Sequence, residues 1–301
     1  MTAVHVEEGP DKGAIWHFGQ PAQEQRALAE GKAWADLSHL SIIAVTGDDR
    51  VKWLHDLTTQ HLLNIAAGDW LPAMILDHNG HVEYQFNLVD DGTTTFIVID
   101  PSYAEGLLAY LLKMRFMLKV DARDATSEFS VLRAPGAPTE IGGPYALVPR
   151  TELDEMKKVF NENAREVGTW SLDAERVAAG RPRHGVDTDH KTIPNELGVL
   201  NKEVHMNKGC YRGQETVAKI YNLGNPPRRL VMLHLDGSDV GFPAAGTKVE
   251  NDGVVVGFIG TVARHHELGT IALAIVKRNT PADATLTIDG IPANQEVIRS
   301  E

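Results

Sequence analysis

The chain has 301 residues, 43% of them hydrophobic and 23% charged, with a formal net charge of -12. This composition is near the average for soluble globular proteins and excludes fibrous and disordered classes. The length suffices for two or three domains, each with its own core.

No apolar run reaches the about 20 residues that span a bilayer. The opening MTAVHVEEGPDKG has neither the basic start nor the apolar stretch of a signal peptide, so the sequence reads as cytoplasmic, with no membrane partner. Its single cysteine, Cys210, closes no internal disulfide, which suits a reducing compartment.

In chain order, LSIIAVTG reads as a buried strand, and DDRVKWLHDLTTQHL as a helix capped by Asp48 or Asp49, with Val51, Leu54, Leu57 and His61 near one face. WLPAMIL is a strand. DHNG, Asp77 to Gly80, turns the chain into HVEYQFNLV, where Val82, Tyr84, Phe86 and Leu88 alternate with polar neighbours. DDG leads to the strand TTTFIVID, and Pro101 opens the helix PSYAEGLLAYLLKMRF. SEFSVLRA and PYALVPR are further strands, and Thr151 opens an amphipathic helix reaching AREVG. This order predicts an α+β fold of antiparallel sheets with helices on one face. Beyond NPPRR, Asn225 to Arg229, only short strands follow, with Asn251-Asp252-Gly253 as a tight turn. The expected division is 1–225 as an α+β region and 226–301 as a small β-barrel or sandwich.

The charge is uneven. From Arg176 to Arg229 there are ten Lys and Arg against five acids, a local +5 within a total of -12. Such a cluster reads either as a solvated face or as a surface for an anionic ligand. KGCYRGQE, Lys208 to Glu215, lies inside it. There Gly209 and Gly213 flank the cysteine where a positive φ or a close approach is expected. QETVAKIY begins a helix whose free amides favour a nearby thiolate, and Lys208 adds positive charge.

Ser171 is expected to cap a helix through Arg176 to Gly180, stopped by Pro182. TIPNELG frames Glu196 in a turn, where a carboxylate can accept two hydrogen bonds from a planar ring edge. DTDHK and RHHELG read as solvated loops. Adjacent histidines on a strand point to opposite faces and make a poor metal site, so no metal is expected. The chain has no G-x-S-x-G elbow and no phosphate-cradling G-x-x-x-x-G-K-[ST].

Taken in order, VTGDD…WLHDLTTQHL, LDHNGHV, RVAAGRPRHGVDTD, TIPNELG, KGCYRGQE and GTIALAIVKR resemble the YgfZ-type folate-binding proteins, relatives of the aminomethyltransferase (T-protein) of the glycine cleavage system. The likeness runs from about Ala35 to Lys277, and KGCYRGQE matches the YgfZ signature with its cysteine. The resemblance implies a cloverleaf with a ferredoxin-like part, closed by a C-terminal β-barrel, that binds tetrahydrofolate or a derivative. By the same carry-over Glu196 holds the pterin edge and Arg176 lies near the folate, and Tyr84 counts among the folate-binding positions. From their charge, Lys208, Arg212, Arg228 and Arg229 are expected to attract the folate glutamate tail.

T-proteins carry paired aspartates where this chain has Glu83 and Tyr84. Weak or absent aminomethyl transfer is therefore expected.

The family resemblance implies support of iron-sulfur cluster assembly or repair, with effects on cluster enzymes including some that modify tRNA. Cys210 is then the working thiol, and iron-sulfur proteins or their assembly factors are the partners. Two alternatives stand beside it: a folate-dependent one-carbon transferase using Glu83, and a non-catalytic module docking a protein or tRNA.

Overall fold

The structure, a computed structural model, describes residues 2–136, 144–224, 226–236 and 241–298. Asn225, the first residue of the proline junction, and the extreme C-terminus of the expected second domain lie outside the described residues. The chain divides into two compact units. The first comprises Met1–Ile75, Tyr84–Ser171 and Lys202–Arg212; the second comprises Leu76–Glu83, Leu172–Asn201 and Gly213–Glu301.

The first unit opens with the hairpin β1 (Val4–His5) and β2 (Ile15–His17), followed by α1 (Pro21–Ala29), β3 (Ala33–Asp36), β4 (Ser41–Thr46) and α2 (Arg50–Leu57). Next come β5 (Trp70–Leu76), β6 (Val82–Asp90), β7 (Thr94–Ile99), α3 (Pro101–Met114), β8 (Asp121–Asp124), β9 (Phe129–Arg133) and β10 (Tyr145–Pro149). Then come α4 (Leu153–Asn161), β11 (Arg165–Glu166) and the start of α5 (Thr169–Ala178), and the segment Lys202–Arg212 completes the unit.

A five-stranded sheet has the order β5-β6-β7-β4-β8, with β4 antiparallel to β7 and β8, and β6 antiparallel to β7. Its inward residues Ile43, Val45, Ile75, Phe86, Leu88 and Ile97 bury against Trp53 and Leu54 of α2 and Leu107 and Leu111 of α3. Period-2 alternation thus meets helical stripes, the expected α+β arrangement. The Asp100 carboxylate accepts from the Ser102 amide ahead of Pro101, which fixes the start of α3. A second sheet, β10-β9-β3-β11, contains one parallel pair, β3 with β11.

Three helix expectations need correction. α2 stops at Leu57 because Thr58 turns extended, so His61 lies off the helix, and the N-cap Asp49 makes no side-chain capping hydrogen bond. α4 stops at Asn161, because Arg165–Glu166 pairs with Ala33–Trp34 as an edge strand. Ser171 is the third residue of α5, with its buried hydroxyl unbonded, so it does not cap that helix.

The second unit holds the rest of α5, then α6 (Gln214–Leu223), β12 (Arg228–Leu235), β13 (Lys248–Asn251), β14 (Val254–His265), β15 (Gly269–Lys277), β16 (Leu286–Ile288) and β17 (Ile291–Val297). The last six strands form a closed barrel in the order β12-β15-β14-β13-β16-β17, filled by Val231, Leu233, Val249, Ile259, Ala274 and Ile288. Closure leaves no open sheet edge. The β13–β14 turn has positive φ at Asp252 (49°) and Gly253 (77°), as a tight hairpin needs. Arg264 and His265 belong to β14, not to a loop, because the strand runs on to pair His265 with Gly269.

Candidate functional site

In the first unit, the residues of the cysteine motif alternate between anchored and displayed positions. Lys208 (7% exposed) and Tyr211 (8%) are buried, whereas Gly209, Cys210 and Arg212 are exposed. The Lys208 ammonium donates to the backbone carbonyls of His55, Thr58 and Gln60, the last at 3.1 Å, and lies 5.2 Å from the Tyr211 ring centre. Lys208 is thus not a surface cation. Burial pushes its pKa down to about 8 and pushes the Tyr211 phenol up to about 12.

The two glycines differ. Gly213 has φ +80°, and a Cβ there would sit 2.6 Å from the Asp77 carbonyl oxygen, so glycine is required as the N-cap of α6. Gly209 has neither a positive φ nor any atom within 4 Å of an added Cβ.

Tyr84 and Tyr110 pack on the core of the five-stranded sheet with ring centres 6.2 Å apart, and the Arg212 guanidinium lies 5.0 Å over the Tyr110 ring. Tyr84, Tyr110 and Arg212 therefore form one aromatic and cationic patch. Glu83, half-buried and next to Tyr84 on β6, belongs to the second unit and points to the opposite face of the strand.

In the second unit, Arg228 joins two carboxylates. Its Nε and Nη2 donate to Glu196 at 2.9 and 2.8 Å, and its Nη1 and Nη2 donate to Asp189 at 2.7 and 3.0 Å. The Glu196 side chain is 1% exposed, and its Oε2 also accepts from the Ile193 amide at 3.3 Å. The carboxylate edge expected to face a ligand ring is therefore met by a guanidinium of the same unit. Burial works to raise the Asp189 carboxyl. Hydrogen bonds from Arg228 and Thr192, the charge of Arg228 and the Lys191 amide outweigh burial and hold it at about 2.

Arg176 makes a similar clamp. It pairs with Asp187 at 2.6 Å and Asp173 at 2.9 Å and donates to the Thr261 hydroxyl. Asp187, fully buried, also accepts from the amides of Arg183 (2.7 Å) and Thr261 (2.6 Å). Thr261 and Gly260 fall where the β14–β15 register shifts, and a Cβ on Gly260 would lie 2.2 Å from Asp187 Oδ1. The bulge thus opens the barrel rim to a buried carboxylate.

DTDHK is therefore not a solvated loop: Asp187 and Asp189 are both ion-paired. The local excess of arginines marked the segment as basic but did not assign these partners. Arg229, in turn, donates to the carbonyls of Lys277, Arg278 and Thr280 and to the side chain of Gln295. Within the basic segment, Arg176, Lys208, Arg228 and Arg229 have internal partners, and Arg212 is exposed with its guanidinium over the Tyr110 ring. Among the described residues no group of three or more His, Cys, Asp or Glu is arranged to hold a metal ion, and no helix is long and apolar enough to cross a membrane.

No family model matches the chain. A chloroplastic protein of Arabidopsis thaliana named as a transferase, At1g60990, is 22% identical over 287 residues, which is 82% of this chain and 65% of that protein. This chain thus spans just under two thirds of that relative's length. An aminomethyltransferase of Caldanaerobacter subterraneus subsp. tengcongensis is 22% identical over 289 residues, 81% of this chain and 76% of that protein. The crystal structure of the glycine cleavage system aminomethyltransferase T from Bartonella henselae superposes with a TM-score of 0.80 at 16% identity, covering 98% of this chain and 92% of that one. The chain has the aminomethyltransferase fold.

Proposed function

We propose that the chain is a tetrahydrofolate-binding protein that supports the assembly or repair of iron-sulfur clusters, with Cys210 as its working thiol. The observation that carries this reading is the display of Cys210. A free cysteine is usually buried, yet here the only one in the chain is exposed beside buried Lys208 and Tyr211. A stable cluster takes about four thiolates, so one thiol acts together with a partner's groups, not as a resident site. The cytoplasm, which keeps thiols reduced, is the compartment proposed.

The folate part rests on the fold and on similarity to aminomethyltransferases. Tetrahydrofolate, when bound, supplies a nitrogen that carries one-carbon units. Tyr84 and Tyr110 offer ring faces for its planar parts, and the exposed Arg212 adds positive charge for its carboxylates. Glu196 reads a pterin edge only where ring donors replace those of Arg228, so it carries less of the recognition than the resemblance gives it. Arg176 and Lys208 act through the protein scaffold.

One-carbon transfer is the second reading, favoured by the names of the relatives. Glu83 would be its acid. Its one extra methylene relative to aspartate displaces a carboxylate by about 1 Å, which lowers the rate by roughly 100-fold.

The test replaces the chromosomal gene with a Cys210→Ala version. Cluster-dependent enzymes should lose activity while the purified variant still binds tetrahydrofolate. Unaltered cluster enzymes in cells that make the variant at normal levels would overturn the proposal.

A further inference from the structure

Helix α2 ends abruptly. Thr58 leaves the helix in an extended conformation (φ -106°, ψ 165°), so the last carbonyls of α2 have no helical partner. Its macrodipole places partial negative charge at the same point. The following Thr58-Thr59-Gln60 stretch then binds the segment that leads to the cysteine. Thr59 Oγ1 donates to the Glu203 carbonyl at 2.7 Å, Gln60 Nε2 to the Lys202 carbonyl at 2.8 Å, and the His205 amide to the Thr59 carbonyl at 2.9 Å. Lys208 completes the set by placing its ammonium among the carbonyls of His55, Thr58 and Gln60. All of these residues belong to the first unit.

An ammonium carries three donors, and three carbonyls receive them here. The three carbonyl oxygens thus converge on one ammonium. Tyr211, buried on the far side of Gly209 and Cys210, makes a second anchor, so the displayed pair is held at both ends.

We infer that Lys208 is a positioning residue for Cys210: a tethered ammonium that fills the carbonyl cage at the end of α2 and fixes the segment on which the thiol is displayed. Its functional weight rests on the reading of Cys210 as the working thiol, while the cage itself does not. The motifs LTTQ and KGC are then two halves of one device, the first supplying oxygens and the second the cation.

Because Cys210 is the only cysteine, a nitroxide label attached there reports on this segment alone. In the wild type the label should move slowly, and in Lys208→Met it should become mobile, with amides 205–211 exchanging faster by about tenfold or more. In Lys208→Ala, millimolar methylammonium should re-immobilise the label saturably, whereas the bulkier tetramethylammonium should not. A label equally slow in Lys208→Met, or a Lys208→Ala protein indifferent to methylammonium, would overturn the inference.

If Lys208→Ala fails to fold, nitrogen-15 spectra of the wild type at pH 6 carry the test. They should show one lysine ammonium whose protons exchange at least about tenfold more slowly than those of surface lysines, and its absence would refute the cage. A confirmed cage together with unaltered cluster enzymes in Cys210→Ala cells would remove the functional reading alone.

Discussion

Replacing Arg228 with methionine isolates the charge network of the second unit. The wild-type guanidinium makes five hydrogen bonds, two to Glu196, two to Asp189 and one to the Thr192 hydroxyl. Without it, Glu196 keeps only the Ile193 amide at 3.3 Å, while its side chain stays 1% exposed. Asp189 is 32% exposed and regains water, so its part of the loss is the smaller, about 1–2 kcal/mol. Removing one partner of a buried ion pair costs about 3–5 kcal/mol, because the other charge is left uncompensated. At about 4 kcal/mol, protection of the β12 amides against hydrogen exchange should fall by about a thousandfold. The double variant Glu196→Gln with Arg228→Met removes the stranded charge and should recover about half of that loss. Exchange at β12, measured by mass spectrometry with thermal unfolding alongside, reads both values. A single variant within about 1 kcal/mol of the wild type, or a double variant no better than the single, would refute the view that Arg228 is spent on Glu196.

The glycines of the cysteine motif should separate. Gly213→Ala forces a Cβ to 2.6 Å from the Asp77 oxygen at φ +80°, and we expect a loss of about 2 kcal/mol or more in thermal unfolding, against under about 0.5 kcal/mol for Gly209→Ala. Acid should act through Asp189, whose carboxyl is held at about 2 against an ordinary 3.8. A depressed carboxyl contributes stability that is fully present above pH 3.8 and is lost as pH falls to about 2, since the unfolded chain takes up the proton first. Discounted for its exposure, the contribution is about 1–2 kcal/mol, and Asp189→Asn should lack this part of the acid slope.

Much of the fold was legible because local rules and tertiary structure agree. The alternation in HVEYQFNLV, the DHNG and Asn251-Asp252-Gly253 turns and the Pro101 start all describe elements that the structure contains. Misreadings arose where a distant partner decided the outcome. Ser171 has the chemistry of a cap, but α5 begins two residues earlier at Thr169. The helix predicted beyond Asn161 yields to the pairing of Arg165–Glu166 with β3.

At the site, the sequence marked Cys210, Glu196 and the arginines, yet gave no means of telling a ligand-facing cation from one consumed by the fold. Lysine is seldom buried, so the seating of Lys208 against carbonyls about 150 residues earlier had no local signature. Asp187 and Asp189 looked like a solvated run for the same reason: Arg176 and Arg228 meet them only in the folded chain.

The most direct measurement is calorimetric titration of the wild type and of Cys210→Ala with tetrahydrofolate. Micromolar binding, about 8 kcal/mol, equal in the two proteins, is the expected result, with the folate pocket and the thiol serving separate tasks. Absence of binding by the folded wild type would contradict it, leaving an aminomethyltransferase fold without a folate function.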